Sequence, residues 1–178
     1  MHDLDDMERF HVAAGAFTRM QEFSEGFPIG GTLGEVRFPA SFIDVYTRRD
    51  GENLDPAEGQ DSLVARWPTG SKVLTLNSIF SPYFIRDQTR TLCGANHPSE
   101  TNRLPTGHVV IGDAYDDEGY PLILINLDEA STDYGKVYAW HLPGDLLSDN
   151  QVPEGLGYVA DSLGAFLDGL SAKGDLLP

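Results

Sequence analysis

The sequence is poor in cysteine and has no long apolar run. Cys93 is its single cysteine, which excludes an intramolecular disulfide framework and any zinc or iron–sulfur site built from several cysteines. No apolar stretch approaches the roughly 18–20 residues that a membrane span requires. The segment Met1 to Asp6 is acidic where a secretory signal would be basic. Together these absences predict a cytoplasmic protein.

Positive charge is also scarce. The chain has 12 Lys and Arg against 28 Asp and Glu, a formal net charge of −16. Such a charge repels phosphate backbones and anionic lipids, so nucleic acid and membrane surfaces are not expected partners. It attracts a cationic protein and accelerates the encounter with it. The alternative is that the acidic residues serve solubility alone.

The length indicates one domain. With 178 residues and 40% hydrophobic side chains, the chain is long enough for one ordinary hydrophobic core. It contains no internal repeat and no low-complexity segment. We therefore expect a single domain over residues 1–178.

The N-terminal part predicts two helices separated by an irregular segment. An apolar spacing of three and four residues favours a helix from Asp6 to Phe23. The segment Gly26 to Val36 has too many glycines for a regular element, although Glu35 to Phe38 favours a short strand. A second helix is expected to begin at Pro39 and to end before Gly51.

The middle of the chain alternates loops with less regular patterns. Glu52 to Ser62 is polar and predicts a surface loop. Strands are expected at Leu63 to Trp67 and at Val73 to Leu76. The apolar spacing in Asn77 to Leu92 suits a helix better than a strand. Asn96 to Thr106 has the composition of a loop.

The C-terminal third predicts an antiparallel meander and a closing helix. Short runs rich in β-forming residues span His108 to Asp113, Tyr120 to Leu127 and Lys136 to His141, with short turns between them. Apolar residues from Val159 to Leu170 recur at helical spacing, which predicts a helix that packs on the sheet. The fold class that follows is α+β, an antiparallel sheet packed against N- and C-terminal helices.

The order of several of these segments resembles the SUKH superfamily. The matching features run from residue 35 to 170 and start with a Phe38-Pro39 helix start followed by Asp50-Gly51. They continue with Val110-Ile111-Gly112, an acidic turn, Pro121 to Leu127, Gly135 to His141, and Val159 to Leu163 with Phe166-Leu167. The motifs are structural, because they set helix ends and core strands. The resemblance thus implies a scaffold rather than a reaction.

The resemblance also implies a class of function. The superfamily includes fungal regulators of cell-wall assembly and many bacterial immunity proteins, which neutralise toxins made in the same cell. Many such toxins are cationic nucleases, and a strongly acidic chain suits a cationic partner. The family argument and the charge argument are independent, and both favour a protein-binding role.

Two acidic loops are the candidate partner-binding residues. Four acids precede Gly119, and their spacing does not match the alternating pattern of a calcium loop, so a solvated hairpin turn is the better interpretation. A second group lies in the loop before the first secure strand. Exposed clustered acids of this kind can face Lys or Arg on a partner. The candidate residues are Asp113, Asp116, Asp117, Glu118, Glu52, Asp55, Glu58 and Asp61.

Catalytic and metal sites are not expected. Cys93 and His97, with His108 and His141 elsewhere, suggest a Cys–His pair or a metal site, but nothing supplies a third group, and a buried structural cysteine is the better interpretation. Ser162 lacks a Gly-x-Ser-x-Gly elbow, and the adjacent Asp161 is explained as a helix cap or as an acid that complements the helix dipole. No catalytic residue, metal or cofactor is therefore predicted.

Two further patterns have structural explanations. Gly30 to Gly34 lacks the Gly-Lys-Ser/Thr of a phosphate-binding loop, so a connection is the better interpretation. Trp67, Tyr83 and Phe84 are expected in the core, although a Trp at the mouth of the sheet can anchor a partner.

The leading hypothesis is an immunity protein that covers a cognate, cationic protein toxin without performing chemistry. Two alternatives are a regulatory scaffold that binds several endogenous proteins and a small hydrolase of unknown substrate. No oligomeric state is predicted.

Overall fold

The structure is a computed structural model that describes residues 25–48, 56–97, 99, 101–144 and 152–176. The helix predicted from Asp6 to Phe23 lies outside the described residues, as do Gly51 and the candidate residues Glu52 and Asp55. The helices are α1 (Ala40–Arg48), α2 (Pro82–Leu92), α3 (Leu163–Asp168) and α4 (Lys173–Leu176). The strands are β1 (Phe27–Gly30), β2 (Gly34–Val36), β3 (Ser62–Trp67), β4 (Gly70–Ile79), β5 (His108–Tyr115), β6 (Leu122–Asn126), β7 (Val137–Trp140) and β8 (Leu156–Ala160).

The glycine-rich segment near residue 30 is a β-hairpin, so the prediction of an irregular connection was wrong. Strands β1 and β2 pair antiparallel, with Phe27 opposite Val36. Gly30 and Gly31 have φ values of 85° and 59°, a region that residues other than glycine rarely occupy. The glycines therefore make the turn possible.

Six strands form a closed antiparallel barrel in the order β3-β4-β5-β6-β7-β8. The predicted meander is confirmed, and the helices and antiparallel sheet together confirm the α+β class. Closure, which the sequence did not indicate, comes from pairing of β3 with β8, where Arg66 lies opposite Tyr158. Burial alternates along β3, with Leu63 and Ala65 buried and Arg66 exposed, as expected when one face lines the interior.

Helix α1 matches its predicted start, and α2 ends at Leu92 as predicted but begins five residues later than Asn77. Pro39 directly precedes α1, and Pro82 occupies the first turn of α2, where its missing N–H costs nothing. The Ser81 hydroxyl caps α2 by accepting a hydrogen bond from the Phe84 N–H at 3.4 Å. Inside α2, the buried Thr89 hydroxyl accepts from the Val110 N–H at 3.1 Å, which fixes the helix against β5. The helix begins later than Asn77, because Asn77 to Ile79 extend β4.

The predicted C-terminal helix is partly wrong. Leu156–Ala160 is strand β8, and only Leu163–Asp168 is helical. The break has a local cause, since the Ser162 hydroxyl accepts a hydrogen bond from the Ala165 N–H at 3.1 Å and starts the helix there. Val159 therefore lies on the strand that closes the barrel. After the helix, Ser171 pairs with Ser62 at the edge of β3.

Aromatic residues join α1 to the hairpin. The ring centroids of Phe27 in β1 and Phe38 lie 5.7 Å apart, those of Phe38 and Phe42 lie 4.4 Å apart, and those of Phe42 and Tyr46 lie 4.9 Å apart. The Tyr46 hydroxyl donates to the Phe80 carbonyl at 2.8 Å, and burial raises the pKa of Tyr46. Across the described part of the chain, no helix has the length and apolar character needed to cross a membrane.

Candidate protein-binding face

The acidic turn, defined here as Asp116 to Gly119, connects β5 to β6. The Asp116 N–H donates to the Gly119 carbonyl at 3.0 Å. One carboxylate oxygen of Asp116, Oδ1, accepts from the N–H groups of Glu118 and Gly119, both at 2.8 Å. An Asp side chain that bonds the following backbone in this way sets the turn itself. Asp116 is therefore a structural residue of the acidic turn as well as one of its charges.

Asp113 is fastened to the neighbouring strand. Its Oδ1 accepts from the Ser78 hydroxyl at 2.6 Å, and its Oδ2 accepts from the Asn77 side-chain amide at 2.9 Å. These contacts lie where the register of β4 against β5 shifts, between Leu76 and Ser78. Asp113 thus satisfies polar groups at an irregularity in the sheet. Its carboxylate is already occupied by two donors of the same chain.

The remaining two acids of the turn differ in what they contact. Glu118 forms an ion pair with Lys72 of β4. Asp117 is exposed at the tip. Of the four acids predicted to face a partner, Asp117 is therefore the one that the turn presents most directly to solvent.

The second predicted acidic loop lies elsewhere on the barrel. Glu58 is exposed and Asp61 is half-buried, and the Asp61 carbonyl accepts from the Leu76 N–H at 2.8 Å. Glu118 pairs with Lys72, four residues away from Leu76 along β4, or ~13 Å at ~3.3 Å per residue. The acidic turn and the described part of the second acidic loop therefore contact β4 at separate points.

Two exposed tyrosines flank the acidic turn and were not singled out in the sequence. Tyr115 is 43% exposed and Tyr120 is 60% exposed. Residues 108–112 of β5 are all buried, and only the end of the strand alternates, with Ala114 buried and Tyr115 exposed. The position of Tyr115 at the strand end, next to the acidic turn, was therefore the signal for it. Exposed tyrosines beside charge are typical of protein-binding surfaces. We define the tyrosine–acid patch as Tyr115, Asp117 and Tyr120.

Of the three aromatic residues predicted to lie in the core, one is buried and two are exposed. Trp67 lies in the core as expected, and its indole N–H donates to the Gly155 carbonyl at 3.1 Å. Tyr83 and Phe84 are 50% and 37% exposed on α2, so their placement in the core was wrong. They occupy the side of the helix turned away from its buried residues Ile85 and Thr89.

A groove runs beside the acidic turn, with a volume of about 530 Å³. Its walls come from the β3–β4 hairpin, the acidic turn and α4. Val64 and Val73 are a directly opposed pair across β3 and β4 and both line it, and Leu176 adds a third apolar side chain. Asp116, Asp117 and Lys173 also line the groove. It therefore combines apolar side chains with charges of both signs.

The candidate catalytic residues are dispersed over the fold. Cys93 is buried, its thiol lies 3.6 Å from the Arg90 carbonyl, and burial raises its pKa, which opposes formation of a nucleophilic thiolate. His97 is exposed and pairs with the Ser99 hydroxyl at 2.7 Å. His108 lies at the start of β5, with Nδ1 2.8 Å from the Thr106 carbonyl.

Other proposed chemical features also have structural roles. Ser162 is a helix cap, as shown above, and Asp161 is not the residue that caps α3. The hairpin at Gly30 docks on α2, where the Arg90 guanidinium donates to the Ile29 carbonyl at 2.7 Å. In the described ranges, no group of three or more His, Cys, Asp or Glu side chains is placed to hold a metal ion.

Comparison with known families gives a match over most of the chain. The model of the SMI1 / KNR4 family (SUKH-1) matches residues 32–169, which span most of the chain and include the whole barrel. No curated protein and no solved structure matches the chain.

Proposed function

Because the chain belongs to the SMI1 / KNR4 family (SUKH-1), we propose that it is an immunity protein that neutralises a cognate, cationic protein toxin. The family has immunity and regulatory roles, and its members are generally binding modules without enzymatic activity. The action proposed here is occlusion, in which the barrel covers the active site or substrate groove of the toxin. It takes place in the cytoplasm of the cell that makes the toxin.

Charge supports the choice of a cationic partner. The net charge of −16 attracts a positively charged surface and disfavours nucleic acid as the direct ligand. Steering by such a field raises association rates to about 10⁸–10⁹ M⁻¹s⁻¹ at low salt. An inhibitor that must reach its toxin before the toxin reaches a substrate benefits from this rate.

The tyrosine–acid patch is the observation that carries the proposed binding face. Tyr115 and Tyr120 supply rigid, amphipathic contact area, while Asp117 supplies the charge that a partner Lys or Arg can meet. Tyrosines at such positions form a large share of binding hot spots. Asp113, Asp116 and Glu118 support the patch through contacts within the chain. The second acidic loop, including Glu58 and Asp61, contributes to the long-range field.

The test is capture of the partner with tagged protein from native cytoplasm, first at low salt and then at high salt, with mass-spectrometric identification. We expect one basic protein with a toxic domain, whose retention weakens as salt rises. Purified toxin should then lose its activity when the tagged chain is added in equimolar amount. This outcome measures neutralisation directly and does not rely on capture alone.

Two double variants with the same chemical changes test the face. Asp117→Lys with Tyr120→Ala alters the patch, while Asp87→Lys with Tyr83→Ala makes the same exchanges on the exposed side of α2. The first should weaken toxin binding at least about 10-fold, or about 1.4 kcal/mol, and the second should leave it unchanged. Equal affinities would show that the patch is not the binding face. Capture of several housekeeping proteins without a toxin would favour the regulatory scaffold instead.

A further inference from the structure

The groove beside the acidic turn has an apolar floor. Val64 and Val73 lie directly opposite each other on β3 and β4 and are both half-buried. Leu176 lines the groove from α4. Half-buried aliphatic side chains in a groove of about 530 Å³ leave apolar surface that a partner can cover. An aliphatic chain laid over the valine pair would remove that surface from water.

The charged groups around this floor are not equivalent. Glu118 is paired with Lys72, so these two charges largely offset each other. One oxygen of Asp116 is engaged by the backbone of the turn. Asp117 is exposed at the acidic side, and Lys173 of α4 supplies the other exposed charge. The groove therefore favours a cation near the acidic turn and an oxygen acceptor near Lys173.

We infer that this groove is the subsite for an arginine or lysine side chain of the protein partner. The aliphatic stem of that side chain packs on Val64 and Val73, and its cationic head reaches Asp117. Long basic side chains combine an apolar stem with a charged end in this way. A backbone carbonyl of the same partner segment then faces Lys173. The inference rests on the proposed function in that the partner is cationic, and it adds which side chain is recognised and where.

Peptides of one length test the subsite without the toxin. The ¹⁵N-labelled chain is titrated with acetyl-Gly-Gly-Arg-Gly-Gly-amide and with peptides that carry norleucine or glutamate in place of arginine, followed by NMR. The arginine peptide should shift the amides of Val64, Val73 and Asp117 in a saturable manner. The norleucine peptide should bind more weakly at the same place, and the glutamate peptide should not bind.

Variants separate the stem contact from the charge contact. Asp117→Asn should weaken the arginine peptide about two- to five-fold and leave the norleucine peptide unchanged. Val73→Thr, which keeps a β-branched strand residue, should weaken both peptides about three-fold. Asp87→Asn removes the same charge from the exposed side of α2 and should affect neither peptide.

Three results would overturn the inference. These are the absence of a saturable shift, equal binding of the arginine and norleucine peptides, and equal losses in Asp117→Asn and Asp87→Asn, which would show attraction by bulk charge alone. Each is distinguishable from failure of the proposed function. If the unmodified protein still captures the toxin, and the variant with Asp117→Lys and Tyr120→Ala binds it more weakly, the immunity role stands. Only the subsite is then rejected.

Discussion

Two hairpin turns of the barrel have similar acidic compositions and different surroundings. The acidic turn between β5 and β6 contains Asp116, Asp117 and Glu118. The connection between β6 and β7 contains Asp128, Glu129 and Asp133. The first turn leaves Asp117 and two tyrosines exposed. The second, residues 127–136, contacts the segment that precedes α1, and we call it the fastened turn. The number of acids in a turn therefore does not determine which of them can meet a partner.

The second turn is held by contacts to residues far away in sequence. The Tyr134 hydroxyl donates to the Arg37 carbonyl at 2.8 Å, and Gly135 approaches Pro39. Within the turn, the Lys136 ammonium lies 2.7 Å from the Asp133 carboxylate. That hydrogen bond lowers the pKa of Asp133 and raises the pKa of Lys136. Asp128 and Glu129 are exposed but also contact the chain itself, because Asp128 accepts from the Ala130 N–H at 3.0 Å and Glu129 lies 3.5 Å from the Arg37 guanidinium. All three acids of this turn therefore have contacts within the chain, which favours the other turn as the binding face.

The largest expected effect comes from adding a methyl group at Gly135, where the fastened turn packs against Pro39. Gly135 has a φ of 86°, and an added Cβ would lie 3.0 Å from Pro39 Cγ. The left-handed backbone costs about 1–2 kcal/mol for an L-residue, and crowding against the rigid proline adds about 1 kcal/mol or more. Gly135→Ala should therefore lower the free energy of unfolding by about 3 kcal/mol, measured by urea denaturation.

Gly59→Ala is the matched control for that variant. Gly59 has a similar φ of 74°, and nothing lies within 4 Å of its added Cβ. Gly59→Ala should lower the free energy of unfolding only by the cost of the left-handed backbone, about 1–2 kcal/mol. Equal losses in the two variants would show that the second turn is not crowded against Pro39.

A smaller effect should separate two acids of the candidate site. Asp113→Ala leaves the Ser78 hydroxyl and the Asn77 amide without their acceptor, which should lower the free energy of unfolding by about 2 kcal/mol. Asp117→Ala should change it by less than about 0.5 kcal/mol, because the side chain is exposed. Thermal and urea unfolding measure both. If Asp117→Ala is as destabilising as Asp113→Ala, Asp117 also serves the fold.

The sequence predicted those parts of the fold that depend on local pattern. The Pro39 helix start, the α+β class and the three consecutive strands from His108 onward follow from spacing and turn residues, and the structure confirms them. Strand β8 was missed because Val159 and Leu163 fit a helical period equally well. Its assignment depends on pairing with β7 and with β3, and β3 is distant in the chain.

The candidate site was predicted less completely, for a related reason. The sequence located the acidic turn but could not rank its three acids and the nearby Asp113, because the partners Ser78 and Lys72 belong to another strand. The exposed tyrosines were overlooked since aromatic residues are more often buried than exposed. Turn composition thus identified the region, and tertiary contacts determined the roles within it.

The smallest expected effect concerns His108, the first residue of β5. Its Nδ1–H donates to the Thr106 carbonyl at 2.8 Å, and its buried Nε2 has no hydrogen-bond partner among the described residues. Burial lowers the pKa of His108, although the nearby carboxylates of Asp128 and Asp133 act in the opposite direction. Tyr138 covers the ring, with centroids 5.5 Å apart. The folded state therefore favours the neutral imidazole.

The sign of the pH dependence follows from this. The unfolded chain takes up the His108 proton near the ordinary pKa of about 6.5, before the folded chain does, so stability contributed by this residue is present above that pH and falls as the pH drops. The loss should be at most about 1.4 kcal/mol by pH 5.5. His108→Asn keeps a donor for the Thr106 carbonyl and does not titrate, so its unfolding free energy should fall less steeply between pH 7 and 5.5. Identical slopes for the two proteins, measured by urea denaturation at each pH, would show that protonation of His108 does not weaken the folded state.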